Sequence, residues 1–185
     1  MIRFITNKSH SVVNGTIVLV TLIIFMVFII LVLPQEAERS KEYFKDSPVP
    51  DSSFIYTEED LYNIAANFGP EGRAYYIRSR FTFDVFWPLA YGLFLWASIA
   101  YFGRCLKHTL IRYTVLLPIL GVILDYLENS GASLVMFMYP DRIPFLPHFV
   151  PIFTLSKWLI IGASFIVLVF LIVYNVYYLF LHKNT

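Results

Sequence analysis

Four long runs of apolar residues alternate with shorter polar stretches along this chain, and that alternation predicts an all-α architecture. The first run, Thr16–Leu33, holds no charged residue. Its length suits a hydrocarbon core of roughly 30 Å. Arg3 and Lys8 precede it, as they would in a secretory signal. The run is longer than a usual apolar signal core of about 7–15 residues, however, and Val32-Leu33-Pro34-Gln35 makes a poor cleavage site. A retained span over 14–33 is therefore expected. The second run, Phe81–Phe102, is broken only by Asp84, and Pro88 within it is a candidate kink. The third covers 113–139. The fourth covers 151–181, with Leu159–Phe180 as its purely apolar part.

Short connections at 103–113 and 140–150 favour neighbouring spans that run in opposite directions. The expected fold is an all-α integral membrane protein, a single membrane domain over 1–185. It forms an antiparallel four-transmembrane-helix bundle with a small, partly helical extracytoplasmic segment, 34–80, between the first two helices.

That segment divides in two. Gln35–Ser53 is charged and punctuated by Pro48 and Pro50, which predicts an extended or mobile connector. From Phe54 the pattern becomes helical. Thr57-Glu58-Glu59-Asp60 resembles a helix cap with acids in the first turn. Leu61, Ile64, Ala65 and Phe68 then recur at helical spacing, and Gly69-Pro70 ends one helix and opens another. The second is expected to run unbroken into span two. An amphipathic helix of about 11 residues is marginal alone in water, so Leu61, Ile64 and Phe68 should rest on the bundle rim or in the lipid interface. A solvated loop with some helix is the alternative.

Composition agrees with insertion in a bilayer. The chain of 185 residues is 58% hydrophobic and 15% charged, against about 45–50% and about 25% for soluble domains. The net charge of +1 and the absence of a Lys/Arg-rich stretch give no sign of nucleic-acid binding. Cys105 is the single cysteine, so no intrachain disulfide can form, and it is expected to be structural.

Positive charge sets the expected orientation. The 103–113 turn carries Arg104, Lys107, Arg112 and His108 without an acid; Arg3, Lys8 and Lys183 lie near the termini. The 140–150 turn holds only Arg142, beside Asp141. Both termini should lie in the cytoplasm of a multi-pass protein of the cell membrane. Segment 34–80 has six basic residues against nine acids, which keeps the opposite orientation as the alternative.

The most informative positions stand inside the third run. Asp125, Glu128 and Asn129 fall at i, i+3 and i+4, on one helix face. A charge at the centre of a spanning helix costs about 2.5–3.5 kcal/mol on insertion scales, so that face should meet protein or water. Asp84 and Lys157 lie at compatible depths in spans two and four. Pro118, Gly121 and Ala132 share the Asp125 face and permit close helix approach. Thr154, Lys157, Ser164 and Asn175 form a similar stripe in span four, as do Asp84, Pro88, Tyr91 and Ser98 in span two.

Three carboxylates against Lys157 leave a formal −2. Arg78 or Arg80 folding inward is the first remedy expected, a protonated carboxyl the second, and a bound cation the last. His148 could complete a metal site with Asp125 and Glu128, but it is expected to be an exposed interfacial residue, and no metal or cofactor is predicted. Arg73, Arg78 and Arg80 interleave with Tyr75, Tyr76 and Phe81. They suit either an interfacial belt with snorkelling arginines or an anion or lipid-phosphate contact.

The predicted ligand-binding set is Asp84, Asp125, Glu128, Asn129, Lys157, Arg78 and Arg80, around a polar pocket that opens outward and takes a lipid or small ligand. One alternative is an enzyme acting on a lipid or isoprenoid, with Asp125 or Glu128 as general acid or base. Gly-x-Ser-x-Gly and His-Glu-x-x-His motifs are lacking, so enzymatic activity stays open. Others are a small transporter that uses the carboxylates as a relay, and a structural or accessory subunit whose buried charges only hold the bundle. The expected partners are the bilayer, a lipid or small molecule, or another membrane protein. The layout of four spans with a long first loop is similar to that of claudins, but this loop lacks their Trp–Cys–Cys signature.

Overall fold

The computed structural model describes residues 2–44, 47–50, 53–106 and 109–182. Lys107, His108 and Lys183, which carry part of the orientation argument, lie outside the described residues. The described residues are helical with no strand, in the order α1 (Ile2–Val12), α2 (Gly15–Val27), α3 (Leu33–Phe44), α4 (Glu58–Arg80), α5 (Phe83–Phe102), α6 (Thr109–Tyr113), α7 (Leu116–Met138) and α8 (Leu146–His182). Four stretches are long and apolar enough to cross a membrane: Gly15–Phe44, Glu58–Phe102, Leu110–Met138 and Leu146–Leu181.

The first of these corrects the sequence reading. Helix does not stop at Leu33 but continues through α3 to Phe44, where a connector was expected. A π turn, Phe28–Val32, joins α2 to α3, and the Leu33 N–H bonds to the Phe28 carbonyl, five residues back. A proline at position 34 would clash with an α-helical carbonyl four residues earlier; the wider turn relieves that clash. Beyond Pro34 the residues Gln, Glu, Ala, Arg and Lys are good helix formers. Ion pairs Glu38–Lys41 at 2.6 Å and Glu36–Arg39 at 3.9 Å add to the local preference.

α4 starts as its cap pattern predicts: Thr57 accepts from the Asp60 N–H, and the Asp60 carboxylate accepts from the Thr57 N–H. Its axis breaks at Gly69, whose φ of 62° and ψ of −178° lie in a region that essentially only glycine occupies. Arg73 reaches back across the break, donating to the Ala65 carbonyl at 2.9 Å and stacking on Tyr139. The expected continuous helix into span two is not found. α4 ends at Arg80, and a turn at Phe81–Thr82 separates it from α5. α8 opens at Leu146, earlier than the expected 151, and runs on through Pro151.

Two apolar cores fill the interior. One gathers Phe44, Leu61, Ile64, Phe68 and Tyr76 from α3 and α4 against Ala132, Val135 and Val150. Tyr43 stacks on Tyr75 with centroids 4.1 Å apart, and Phe44 on Phe68 at 4.2 Å. These contacts give Leu61, Ile64 and Phe68 a protein partner rather than a lipid one. The second core lies toward the other end and includes Val13, Phe25, Leu95, Ile99, Val115, Ile161 and Leu171. There α1, an element with no counterpart in the sequence reading, packs beside α5: His10 Nδ1 donates to the Ala100 carbonyl at 2.7 Å. Asn175 donates to the Phe102 carbonyl at 2.8 Å and ties α8 to the same end.

α7 and α5 approach closely at Gly92. A Cβ there would stand 2.4 Å from Val122 Cγ2. The outward faces are apolar: Ile119, Ile123, Leu127 and Phe137 on α7, and Leu159, Ile166, Val169 and Val173 on α8, are exposed. Asp125, Glu128 and Asn129 on α7 and Thr154, Lys157 and Ser164 on α8 are inside instead.

Candidate functional site

The charged positions of α7 and α8 lie between the stretches that supply the two cores. Along α7, Val115 belongs to one core and Ala132 and Val135 to the other, with Asp125, Glu128 and Asn129 between them. On α8, Val150 and Ile161 bracket Lys157 in the same way. The inward face of α7 is a stripe of Pro118, Gly121, Asp125, Glu128, Asn129 and Ala132, all buried. Helical periodicity alone puts these residues on one side, and the small ones let α8 approach.

Within this layer Lys157 Nζ stands 2.5 Å from Glu128 Oε2 and 3.5 Å from Asp125 Oδ1. Asn129 Nδ2 donates to Asp125 Oδ1 at 3.1 Å, and the Tyr91 hydroxyl donates to Asp125 Oδ2 at 2.8 Å. Glu128 is fully buried, Lys157 is 4% exposed and Asp125 is 6% exposed. Lys157 therefore does not snorkel; its ammonium stays inside and also lies 5.3 Å from the Trp158 ring centre. Toward α4, Arg80 and Asp84 form a second buried ion pair, with the Arg80 guanidinium 4.4 Å from the Tyr76 ring centre.

Of the predicted set, Asp125, Glu128, Asn129 and Lys157 come together, and Arg80 with Asp84 forms an adjoining pair. Arg78 does not join them. It is exposed and stacks on Tyr75 at 5.5 Å. Arg80 supplies the expected inward arginine because it sits one turn before Asp84, whereas Arg78 leaves the helix on another side. His148 is exposed and pairs with Glu58 at 2.7 Å, away from Asp125. No group of three His, Cys, Asp or Glu side chains fit to hold a metal occurs among the described residues.

A cavity of about 490 Å³ opens on this layer, within the size range of small-molecule sites. Asp84, Asp125 and Lys157 share its wall with Phe25, Trp87, Tyr91 and Trp158. Leu33, Asp84 and Trp87 also line a second cavity of about 230 Å³, which extends past Arg80 to Glu36 and Ser40 on α3. The two spaces thus meet at Asp84. The role of Tyr91 was not legible as a contact in the sequence, although its place on the Asp84–Pro88–Ser98 stripe was the available signal. The contribution of α2 and α3 to the wall of the larger cavity carried no signal, because Phe25 and Leu33 are ordinary apolar residues.

Among the described residues the geometry defines an all-helical arrangement with four helical stretches long and apolar enough to span a membrane and a layer of ionic groups buried among them. No protein-family model, curated protein or solved structure matches it.

Proposed function

We propose that this protein is inserted in a cell membrane as an antiparallel four-helix bundle with both ends in the cytoplasm and the α3–α4 region outside. In this reading its cavity binds the polar head of a lipid or a small amphiphilic ligand. The inverted arrangement, apolar outside and polar inside, supports insertion. The observation that carries the ligand is the cavity itself. Charged groups that only held helices together would be walled by packed side chains, whereas Asp84, Asp125 and Lys157 line open space beside Phe25, Trp87 and Trp158.

The orientation is tested with single cysteines in a Cys105→Ser background. A membrane-impermeant maleimide applied to intact cells should label Lys41→Cys and spare Lys8→Cys. The reverse pattern would invert the topology. The ligand is tested by native mass spectrometry of the purified protein. A bound amphiphile should be retained by the native chain and weakened by Asp125→Asn in protein that remains folded. Failure to detect one, together with no response to added lipids, would leave the register-holding network as the better account. That second reading draws on the 2.5 Å contact between Lys157 and Glu128.

A further inference from the structure

Resting on the amphiphile pocket proposed above, we infer that its ligand carries an ammonium group, held against Asp125 and Asp84 among the rings of Trp87, Tyr91 and Trp158. Charge comes first. Lys157 gives its single positive charge to two carboxylates, Glu128 at 2.5 Å and Asp125 at 3.5 Å, and Arg80 neutralises Asp84. Among the described residues of this layer, three acids therefore face two cations, a formal −1. Geometry points the same way. Of the two acids that share Lys157, Asp125 lines the cavity and stands farther from the ammonium, at 3.5 Å against 2.5 Å for Glu128.

The walls add a third argument. Trp87 and Tyr91 meet edge-on with centroids 5.5 Å apart, and Phe25 stacks on Trp87 at 5.9 Å. Aromatic faces beside carboxylates attract cations and tolerate an alkyl chain. Lys157 already places an ammonium 5.3 Å from the Trp158 ring, so the site accepts that chemistry from its own chain. An anionic head would meet a wall in which Asp84 and Asp125 outnumber Lys157. The apolar tail would leave past Ile29 and Phe165, which line the same cavity. The ammonium can come from a soluble single-chain amine or from the ethanolamine head of a phospholipid.

The test compares octylammonium, octyl phosphate and octanol, added below micelle formation to the full chain in a neutral maltoside detergent. Binding is followed by the fluorescence of the three tryptophans, of which Trp87 and Trp158 line the cavity. The expected result is octylammonium at least tenfold tighter than octanol, with octyl phosphate no tighter than octanol. Asp125→Asn should remove most of that tenfold preference, and the headgroup order of the native chain tests the inference even if this variant does not fold. Equal binding of all three, or tightest binding of octyl phosphate, would overturn the ammonium assignment and leave the amphiphile pocket standing. Binding of none would remove the pocket as well. In phosphatidylglycerol nanodiscs, displacement of octylammonium by added phosphatidylethanolamine would identify the lipid source, and its persistence the soluble amine.

Discussion

Lys157 Nζ meets Glu128 Oε2 at 2.5 Å, a contact that joins α8 to α7 where both side chains are buried. Removing Lys157 alone leaves both Glu128 and Asp125 uncompensated; removing Glu128 with it leaves Asp125, which keeps its hydrogen bonds from Tyr91 and Asn129. Lys157→Met should therefore destabilise the folded protein by about 3–5 kcal/mol. Lys157→Met combined with Glu128→Gln should recover much of that loss. Thermal unfolding in detergent, read as a double-mutant cycle, checks the order. A double variant no more stable than Lys157→Met alone would refute the coupling.

Gly92→Ala should destabilise the α5–α7 contact by about 1–3 kcal/mol, because its methyl would enter the space of the branched Val122 side chain. Val122→Ala in the same chain should relieve the clash. The two melting temperatures, compared with that of Val122→Ala alone, decide whether the effect is steric.

The cap of α4 has a pH signature. Hydrogen bonds from the Thr57 side chain and backbone hold the Asp60 carboxyl below its ordinary value. A depressed folded value means this stabilisation is complete above the ordinary carboxylate range and is lost as pH falls through the folded value. Thr57→Ala should move the Asp60 titration upward and speed amide exchange in residues 58–61 at neutral pH. An unchanged Asp60 titration by NMR would show that the cap does not set it.

Tyr75 donates to Glu36 Oε1 at 2.7 Å and bridges α4 to α3. Burial first, and the Glu36 hydrogen bond second, push its phenol well above the usual tyrosine range. The raised value makes its contribution complete below the unfolded phenol's titration and lost as pH climbs beyond it. Tyr75→Phe keeps the stack on Tyr43 but should quicken hydrogen exchange across 36–44 and flatten the alkaline loss of stability. Exchange in α7 should not change.

Much of the helical framework is legible from apolar run length, and the Thr57 cap and Gly69-Pro70 break from local residue chemistry. The α7 stripe follows from spacing because a helix fixes which residues share a side. What fails is the prediction of order in polar segments. Gln35–Phe44 carries a strong helical preference, but the charges of 35–53 and its Pro48 and Pro50 pointed to a connector; the π turn that accommodates Pro34 leaves no compositional mark. The turn at Phe81–Thr82 is likewise silent, since neither residue is a helix breaker. Arg78 and Arg80 could not be separated until the position of Asp84 one turn beyond Arg80 was known to matter.

The widened turn at Phe28–Val32 also sets an angle. Each residue of an α-helix advances the chain by about 100° around its axis. The wider turn takes up one residue more than α winding would over the same rotation, and with it Glu36 faces Tyr75 and Phe44 faces Phe68. With α winding through the same residues, everything downstream would be rotated by about that amount, and Glu36 would swing off Tyr75 and Phe44 off Phe68 though every side chain survived. The winding between Phe28 and Leu33 thus acts as the dial that aligns the first helix with the rest.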